Sequence, residues 1–247
     1  IGLSIDGPED VHDLHRKFPD GRGSFRRVMR AAEVLREYEV PFNVLAVVTR
    51  QTQGEAERLY RFFLSEGFRH LQFIPCVEPD PEYAVTPEGY GEFLCELFDL
   101  WYNNGQPMAS IRTFENILAI YMGVESEACV YRDECGTYAV VEHNGDVYPC
   151  DFFVEEKWRL GNLMETPFAE IITGPKAQAF NRRKSHNHAK CQECEWKFIC
   201  RCGCPNYWDQ SGDDYLCSSY KQFFAHSNNR FKILSLIHIS EPTRPLY

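Results

Sequence analysis

The sequence has no long apolar run, no excess of basic residues and no secretory opening, and each absence disfavours a class of protein. Its 247 residues carry 26 lysines and arginines against 36 aspartates and glutamates, giving a net charge of −10. Nucleic-acid-binding surfaces are normally basic, so we expect no nucleic-acid partner. No stretch approaches the roughly 20 apolar residues that span a bilayer, so we expect no membrane contact. The opening IGLSIDGPEDVHD does not resemble a signal peptide.

Cysteine, in contrast, is abundant, with eleven residues. Without a secretory signal, these cysteines are expected in the reducing cytoplasm, where disulfides are rare and thiolates bind metals. Five of them fall within the stretch CQECEWKFICRCGC at 191–204. Two others, Cys76 and Cys95, lie far from the rest and are interpreted as buried apolar residues.

Both ends of the sequence look unlike the ends of a domain. A strand that reads as buried begins at residue 1, which suggests that further residues precede it. At the other end, SLIHISEPTRPLY (235–247) resembles a translated sequencing-adaptor read. We expect a non-native tail there; a disordered natural tail is the alternative.

The first hundred residues alternate strand and helix patterns. Strands are predicted at IGLSID, PFNVLAVV (41–48) and HLQFIP (70–75). Ser24 is a candidate helix cap, Gly67 a helix end, and Thr86 with Pro87 a helix start. The alternation predicts an α/β fold with right-handed βαβ units. Three strands cannot close a barrel, so we expect the later half of a partial barrel over 1–107.

The pattern changes near residue 108. IRTFENILAIYMG predicts a helix ending at Gly123, and TYAVVEHNGDVYPC predicts a β-hairpin around Asn144-Gly145. Most cysteines surround this hairpin. We therefore predict a second, cysteine-rich domain at 108–234.

The cysteine spacing of this second region provides two sets of four thiols. Four thiolates suit a tetrahedral zinc ion or an iron–sulfur cluster, and spacing alone does not separate the two. Zinc is slightly favoured on spacing, and disulfides are the third alternative. A basic stretch (Arg182, Arg183, Lys184 and Lys190) beside His186 and His188 is interpreted as a solvated loop that could attract an acidic peptide.

Four motifs resemble one family: YRDECGTYAVVEHNGDVYPCDFF, LGNLMETPF, CQECEWKFICRCGCPNY and YLCSSYKQFF. They are similar to the SPASM domain of radical S-adenosylmethionine (SAM) enzymes, and within these to the anaerobic sulfatase-maturating enzymes. The resemblance covers residues 1 to 232. It implies the later half of a partial (β/α) radical SAM barrel, followed by a SPASM domain with a β-hairpin and helices. It also implies two auxiliary 4Fe-4S clusters.

The resemblance implies the ligands of these clusters. The first cluster takes Cys129, Cys135, Cys150 and Cys204. The second cluster takes Cys191, Cys194, Cys200 and Cys217. Cys202 falls outside the family spacing and could compete as a ligand.

The front of the sequence resembles the family's S-adenosylmethionine-binding strand. LSIDGPEDVHDLHRK places Ser4 and Asp6 at the Ser-x-Asp positions, with Arg16 as a candidate for the methionine carboxylate. A strand end turning through Gly7-Pro8 is the alternative. The family's Cys-x3-Cys-x2-Cys triplet, which binds a third cluster, is absent, because the first cysteine is Cys76. We expect an N-terminally truncated enzyme that does not turn over.

The activity that the resemblance implies is oxidation of a peptidyl Cys or Ser in a sulfatase to Cα-formylglycine. A 5′-deoxyadenosyl radical removes a hydrogen from Cβ, and Asp151 matches the family's catalytic base; a turn-capping Asp151 is the alternative. The implied partners are a sulfatase polypeptide and an electron donor such as flavodoxin or ferredoxin. Modification of a ribosomal peptide and a zinc-stabilised binding module remain the alternative functions.

Overall fold

The computed structural model describes residues 1–78, 80–185 and 189–240 of the protein. The chain forms two compact units, one comprising residues 1–123 together with the segment from Ser218 onward, the other comprising Val124–Cys217. This division falls later than the boundary expected near residue 107. The reason is that residues 110–121 form a strand paired with the first sheet and a helix that packs on that sheet.

The first unit is built on a parallel sheet, as the alternating pattern predicts. Its four strands lie in chain order and all pair in parallel. They are β1 (Gly2–Ser4), β2 (Asn43–Val48), β3 (His70–Pro75) and β4 (Ser110–Ile111). Alternate residues of β2 and β3 are buried, so the apolar runs lie against helices.

Five helices of the first unit connect or follow these strands. They are α1 (Glu9–His15), α2 (Phe25–Glu37), α3 (Ala56–Ser65), α4 (Pro87–Tyr102) and α5 (Arg112–Tyr121). Helix α4 begins as predicted, with the Thr86 hydroxyl accepting a hydrogen bond from the Gly89 amide at 3.0 Å. Ser24 precedes α2 but makes no side-chain cap, because its hydroxyl donates to the Arg16 carbonyl instead.

Helix α1 was not predicted from the sequence. Pro8 immediately before the first turn, with Glu9 and Asp10 in that turn, is the signal that indicates a helix start. This helix brings His12 into the core of the first unit.

The second unit has little regular structure apart from a small antiparallel sheet. The strands β5 (Val140–Val141) and β6 (Asp146–Tyr148) form the predicted hairpin, and β7 (Gly161–Asn162) pairs with β6. Gly145 lies in the turn with φ +87°, a conformation that glycine adopts without strain. Four short helices follow: α6 (Phe168–Thr173), α7 (Pro175–Asn181), α8 (Ala189–Gln192) and α9 (Lys197–Cys200).

The last helix, α10 (Cys217–Ser240), leads back to the first unit. The helix continues across residue 235, where the sequence pattern changes, and Ser235 is buried. Residues 241–247 of the expected tail lie outside the described residues, as do His186 and His188. Within the described chain no helix combines the length and apolar character that a membrane span needs.

Candidate functional site

Four of the predicted ligands are close neighbours in the second unit. Burial raises the pKa of Cys204 to about 12, and the charges of Cys129, Cys150 and Cys135 add to that rise. Burial likewise raises the pKa of Cys135 to about 11, with Cys129 and Cys150 again among the causes. Because such charge effects are short-ranged, these four side chains lie near one another in the unit. The segments that carry them are separated by up to 75 positions in the sequence (129 to 204).

The other four predicted ligands form two pairs. Burial raises the pKa of Cys191 to about 11, and a hydrogen bond that Cys191 donates to Cys202 and the charge of Cys194 add to that rise. Burial raises the pKa of Cys200 to about 12, followed by the charges of Asp214, Cys217 and Cys202. The structure therefore places Cys202 beside both pairs, whereas spacing left it outside the ligand set.

A run of left-handed backbone separates Cys200 from Cys204. Arg201, Cys202 and Gly203 have φ values of 50°, 67° and 67°. Left-handed conformations at non-glycine residues are costly and accumulate at functional sites. The run turns the chain so that Cys200 lies near Cys217, whereas Cys204 lies near Cys129, Cys135 and Cys150.

Asp214 stabilises this turn and was missed from the sequence. Its carboxylate accepts hydrogen bonds from the Cys204 amide at 3.1 Å and the Leu216 amide at 2.7 Å. Burial raises the pKa of Asp214 to about 6. The acidic loop DQSGDDY gave no sign that this aspartate, and not its neighbours, accepts the hydrogen bond from the Cys204 amide.

Zinc and a 4Fe-4S cluster place different demands on a set of thiols. A single zinc ion at about 2.3 Å from four sulfurs holds them about 3.8 Å apart. Among residues 1–78, 80–185 and 189–240, no group of three or more Cys, His, Asp or Glu side chains is arranged to hold one metal ion. Four cysteine thiolates are the usual ligand set of a 4Fe-4S cluster as well.

Two buried donors near the first thiol group fit an iron–sulfur cluster. Cys150 packs with Phe153 and Phe180, and Cys135 and Trp158 pack against them. In the described part of the chain, the Trp158 indole Nε1 and the Arg183 Nη1 are buried without a hydrogen-bond partner. Buried donors normally have partners. Cluster sulfides accept such hydrogen bonds, which also set the cluster potential.

Asp151, the candidate base, follows Cys150 and begins a 3-10 turn. Its Oδ1 accepts a 2.5 Å hydrogen bond from the Tyr138 hydroxyl and a 3.4 Å one from the Cys150 thiol. The carboxylate is exposed, and Oδ2 has no protein partner among the described residues. Burial and the bond to Asp151 raise the pKa of Tyr138, so this hydroxyl stays a donor at neutral pH. One oxygen is thus fixed while the other is available to a substrate.

The first unit brings two of the three predicted SAM-facing residues together. Arg16 Nε and Nη2 donate to the two carboxylate oxygens of Asp6 at 2.5 and 3.0 Å. Asp6 Oδ1 also accepts from the Val47 amide at 2.9 Å. Asp6 is buried and hydrogen-bonded to Arg16 and Val47, whereas Ser4 is exposed at the end of β1.

His12 completes this arrangement and was missed from the sequence. Its Nδ1 accepts from the Asp6 amide at 3.3 Å, and its Nε2 lies 3.0 Å from the Ser24 hydroxyl. That hydroxyl donates its proton to the Arg16 carbonyl, so Nε2 must be the donor to Ser24. Burial lowers the pKa of His12, consistent with a neutral ring. The ring therefore links the backbone of Asp6 to that of Arg16.

Comparison with known proteins agrees with the sequence motifs. Residues 129–195 match the family model described as SPASM, an iron-sulfur cluster-binding domain. A cysteine-type anaerobic sulfatase-maturating enzyme of Clostridium perfringens (strain 13 / Type A) is 39% identical over 92% of this chain and 65% of its own length. A serine-type enzyme of Bacteroides thetaiotaomicron is 32% identical, over 92% and 61%.

A solved structure shows the same fold. The chain described as native anSMEcpe with bound AdoMet and Cp18Cys peptide superposes with a TM-score of 0.90 at 36% identity. The match covers 96% of the present chain and 69% of that one. The expected fold, a partial radical SAM barrel followed by a SPASM domain, is confirmed. The present chain spans less than two thirds of the length of both sulfatase-maturating relatives described above.

Proposed function

Because the chain belongs to the family of anaerobic sulfatase-maturating enzymes, we propose that it serves the oxidation of a Cys or Ser side chain in a sulfatase to Cα-formylglycine. The observation that carries the proposal is the position of Asp151. Its carboxylate follows a ligand of the first cluster and is fixed by Tyr138 on one oxygen only. The two cysteine sets provide the cluster ligands, and Ser4, Asp6 and Arg16 provide the SAM-facing residues.

The chemistry assigned to Asp151 is removal of one proton. When bound, SAM would supply a 5′-deoxyadenosyl radical that takes a hydrogen atom from the substrate Cβ. Asp151 takes the proton from the substrate sulfur or oxygen through its free Oδ2. Loss of one electron from the carbon radical gives a thioaldehyde or an aldehyde, and water converts the thioaldehyde to the aldehyde with release of hydrogen sulfide. Bound 4Fe-4S clusters supply the acceptor for that electron.

The first measurement is the iron and sulfide content of this chain. Two 4Fe-4S clusters correspond to about eight irons and eight sulfides per chain after anaerobic reconstitution. Replacing Cys150 with Ala leaves about half of the iron, because one cluster loses a ligand. Two zinc ions and no visible absorption would instead indicate the zinc-stabilised module.

Turnover is measured in a longer polypeptide, because the 247 residues contain no Cys-x3-Cys-x2-Cys triplet. A segment from the part of the Clostridium perfringens relative that this chain does not span is placed before residue 1. This polypeptide is incubated with SAM, reductant and matched sulfatase peptides that carry Cys or Ser. A cysteine target is favoured, because the cysteine-type relative is the more similar of the two described above.

Asp151→Asn tests the base. We expect formylglycine formation to fall by about 10²- to 10⁴-fold, while 5′-deoxyadenosine still forms because hydrogen abstraction precedes deprotonation. Asp209→Asn, which changes an exposed acid of the same unit, serves as the control. Product formation by Asp151→Asn at the unaltered rate would remove Asp151 from the mechanism.

A further inference from the structure

Lys184 is a buried cation in the region interpreted from the sequence as a solvated loop. Its side chain is only 2% exposed. The Nζ donates to the carbonyl oxygens of Cys129, Val130 and Arg132 at 3.0, 3.0 and 2.6 Å. These carbonyls belong to the one-turn 3-10 helix Cys129–Tyr131 and the residue that follows it. Lys184 therefore fixes the turn that carries the first predicted cluster ligand.

The hydrogen-bond geometry defines the charge of this side chain. A lysine ammonium has three N–H donors and no acceptor, and here it meets three acceptors and no donor. A neutral amine would direct its lone pair at a carbonyl oxygen. The three carbonyls thus select the charged form.

The charge has no carboxylate partner within ion-pair distance among the described residues. Carbonyl dipoles alone leave a buried charge poorly compensated, and buried charges are normally paired. Burial lowers the pKa of Lys184, and the nearby side chains of Cys135, Cys129, Cys204 and Cys200 oppose that shift, in decreasing order of effect. These thiols lose their protons, and become the anions that face the lysine, when they bind a cluster. Three of these four belong to the first cluster. Asp214 also faces the lysine. The charge of Lys184 is the smallest of the influences on the pKa of the Asp214 carboxyl.

We propose that Lys184 is the buried counter-charge of the first cluster and raises the reduction potential of that cluster. The inference rests on the proposed function, which supplies the cluster. A reduced 4Fe-4S cluster carries one more negative charge than the oxidised one, so a fixed nearby cation stabilises the reduced form more. The first cluster is then the better acceptor for the electron released beside Asp151.

The test compares Lys184→Met, which keeps the length and removes the charge, with Lys184→Arg, which keeps the charge. Lys157→Met is the matched control, because Lys157 is exposed and paired with Glu155 in the same unit. Each chain of 247 residues is reconstituted anaerobically, and its iron is counted. Its midpoint potentials are then measured by redox titration followed by electron paramagnetic resonance.

In Lys184→Met we expect the midpoint potential of the first cluster to become more negative. The midpoint potential of the second cluster should change less. Lys184→Arg and Lys157→Met keep both midpoints near those of the unaltered chain. If Lys184→Met assembles only half of the iron while Lys184→Arg assembles all of it, the cation is required to form the first cluster, which also supports the proposal.

Two outcomes overturn the inference. Lys184→Met with full iron and unshifted midpoints shows that the charge does not act on the cluster. Equal iron loss in Lys184→Met and Lys184→Arg shows that side-chain shape, and not charge, is what matters. An unaltered chain that binds no iron is a different result, because it contradicts the proposed function itself.

Discussion

Tyr138 is the residue that makes Asp151 more than an exposed carboxylate. Its hydroxyl holds Oδ1 at 2.5 Å and lies 3.5 Å from the Cys150 sulfur. When Cys150 binds a cluster, its thiol proton is lost and the bond from that thiol to Asp151 disappears. Tyr138 is then the remaining side-chain donor among the described residues that fixes the orientation of Asp151, the proposed base.

Tyr138→Phe therefore separates orientation from chemistry. A hydrogen bond to a charged group contributes about 1.5–3 kcal/mol, so we expect kcat for formylglycine formation to fall about 10- to 100-fold. KM for the peptide and iron content should change little, because neither depends on the hydroxyl. Tyr38→Phe, at an exposed position of the first unit, is the control. An unchanged kcat would show that Asp151 needs no fixed orientation.

His12 gives the first unit a pH dependence with a defined sign. Burial lowers the pKa of His12 below its ordinary value of 6.5. The unfolded chain therefore binds a proton near pH 6.5 that the folded chain does not bind, and stability falls as the pH drops below that value. The slope from one histidine is at most about 1.4 kcal/mol per pH unit.

This slope is measured by urea denaturation between pH 7.5 and 5.5, with His12→Gln as the comparison. The variant keeps a hydrogen-bonding side chain but cannot titrate, so its stability should vary less over this range. His143→Gln, at a highly exposed histidine, is expected to leave the slope unchanged. Equal slopes in the unaltered chain and in His12→Gln would contradict the assignment of a neutral ring.

At the scale of elements, α10 is the helix that completes the first core. Phe231 on α10 is fully buried, with ring centroids 4.7 Å from Phe98 on α4 and 5.6 Å from Tyr121 at the end of α5. The Ser219 hydroxyl also donates to the Pro87 carbonyl at 2.5 Å. Helix α10 is therefore part of the barrel half, although it follows the whole cysteine-rich region in the sequence.

Truncation of this aromatic contact should destabilise the first unit. We expect Phe231→Ala to lower its free energy of unfolding by about 3–5 kcal/mol, through lost burial and the cavity left behind. Ile233→Ala, two residues further along α10 and 49% exposed, should change it by about 0.5 kcal/mol or less. Chemical denaturation followed by tryptophan fluorescence distinguishes the two variants. Similar losses would show that α10 does not pack as described.

At the scale of the molecule, the two units draw on different sources of stability. The first unit buries large aromatic residues around a parallel sheet, whereas the second has short strands and short helices. Small regions with little regular structure commonly depend on bound metal for their folding. Iron removal should therefore affect the second unit more.

Amide hydrogen exchange before and after chelation of iron tests this difference. Exchange in the hairpin β5–β6 and in the turns that carry the cysteines should accelerate. Exchange in β2 and β3 should change little, since their hydrogen bonds lie in the sheet of the first unit. Uniform acceleration over both units, or none in the second, would contradict the expected dependence on the clusters.

The sequence predicted those features that depend on local pattern. The strand at 70–75, the cap at Thr86 and the hairpin at Asn144-Gly145 are confirmed, because turn residues and apolar spacing act within a few positions. Cysteine spacing also indicated which thiols to examine. His12 and the burial of Lys184 were not identified, because their partners lie on other segments, up to 55 positions away for Lys184.

The left-handed run Arg201–Gly203 has a consequence for synthesis of the protein in the cell. It directs Cys204 to the thiols that emerged from the ribosome much earlier, at 129, 135 and 150. In the proposed ligand set, those three thiols have no fourth partner until Cys204 is synthesised. At roughly 5–20 residues per second, that delay lasts a few seconds. By then most ligands of the other set are also outside the ribosome. Both sets thus become complete late, and the machinery that delivers iron meets them as a nearly finished chain.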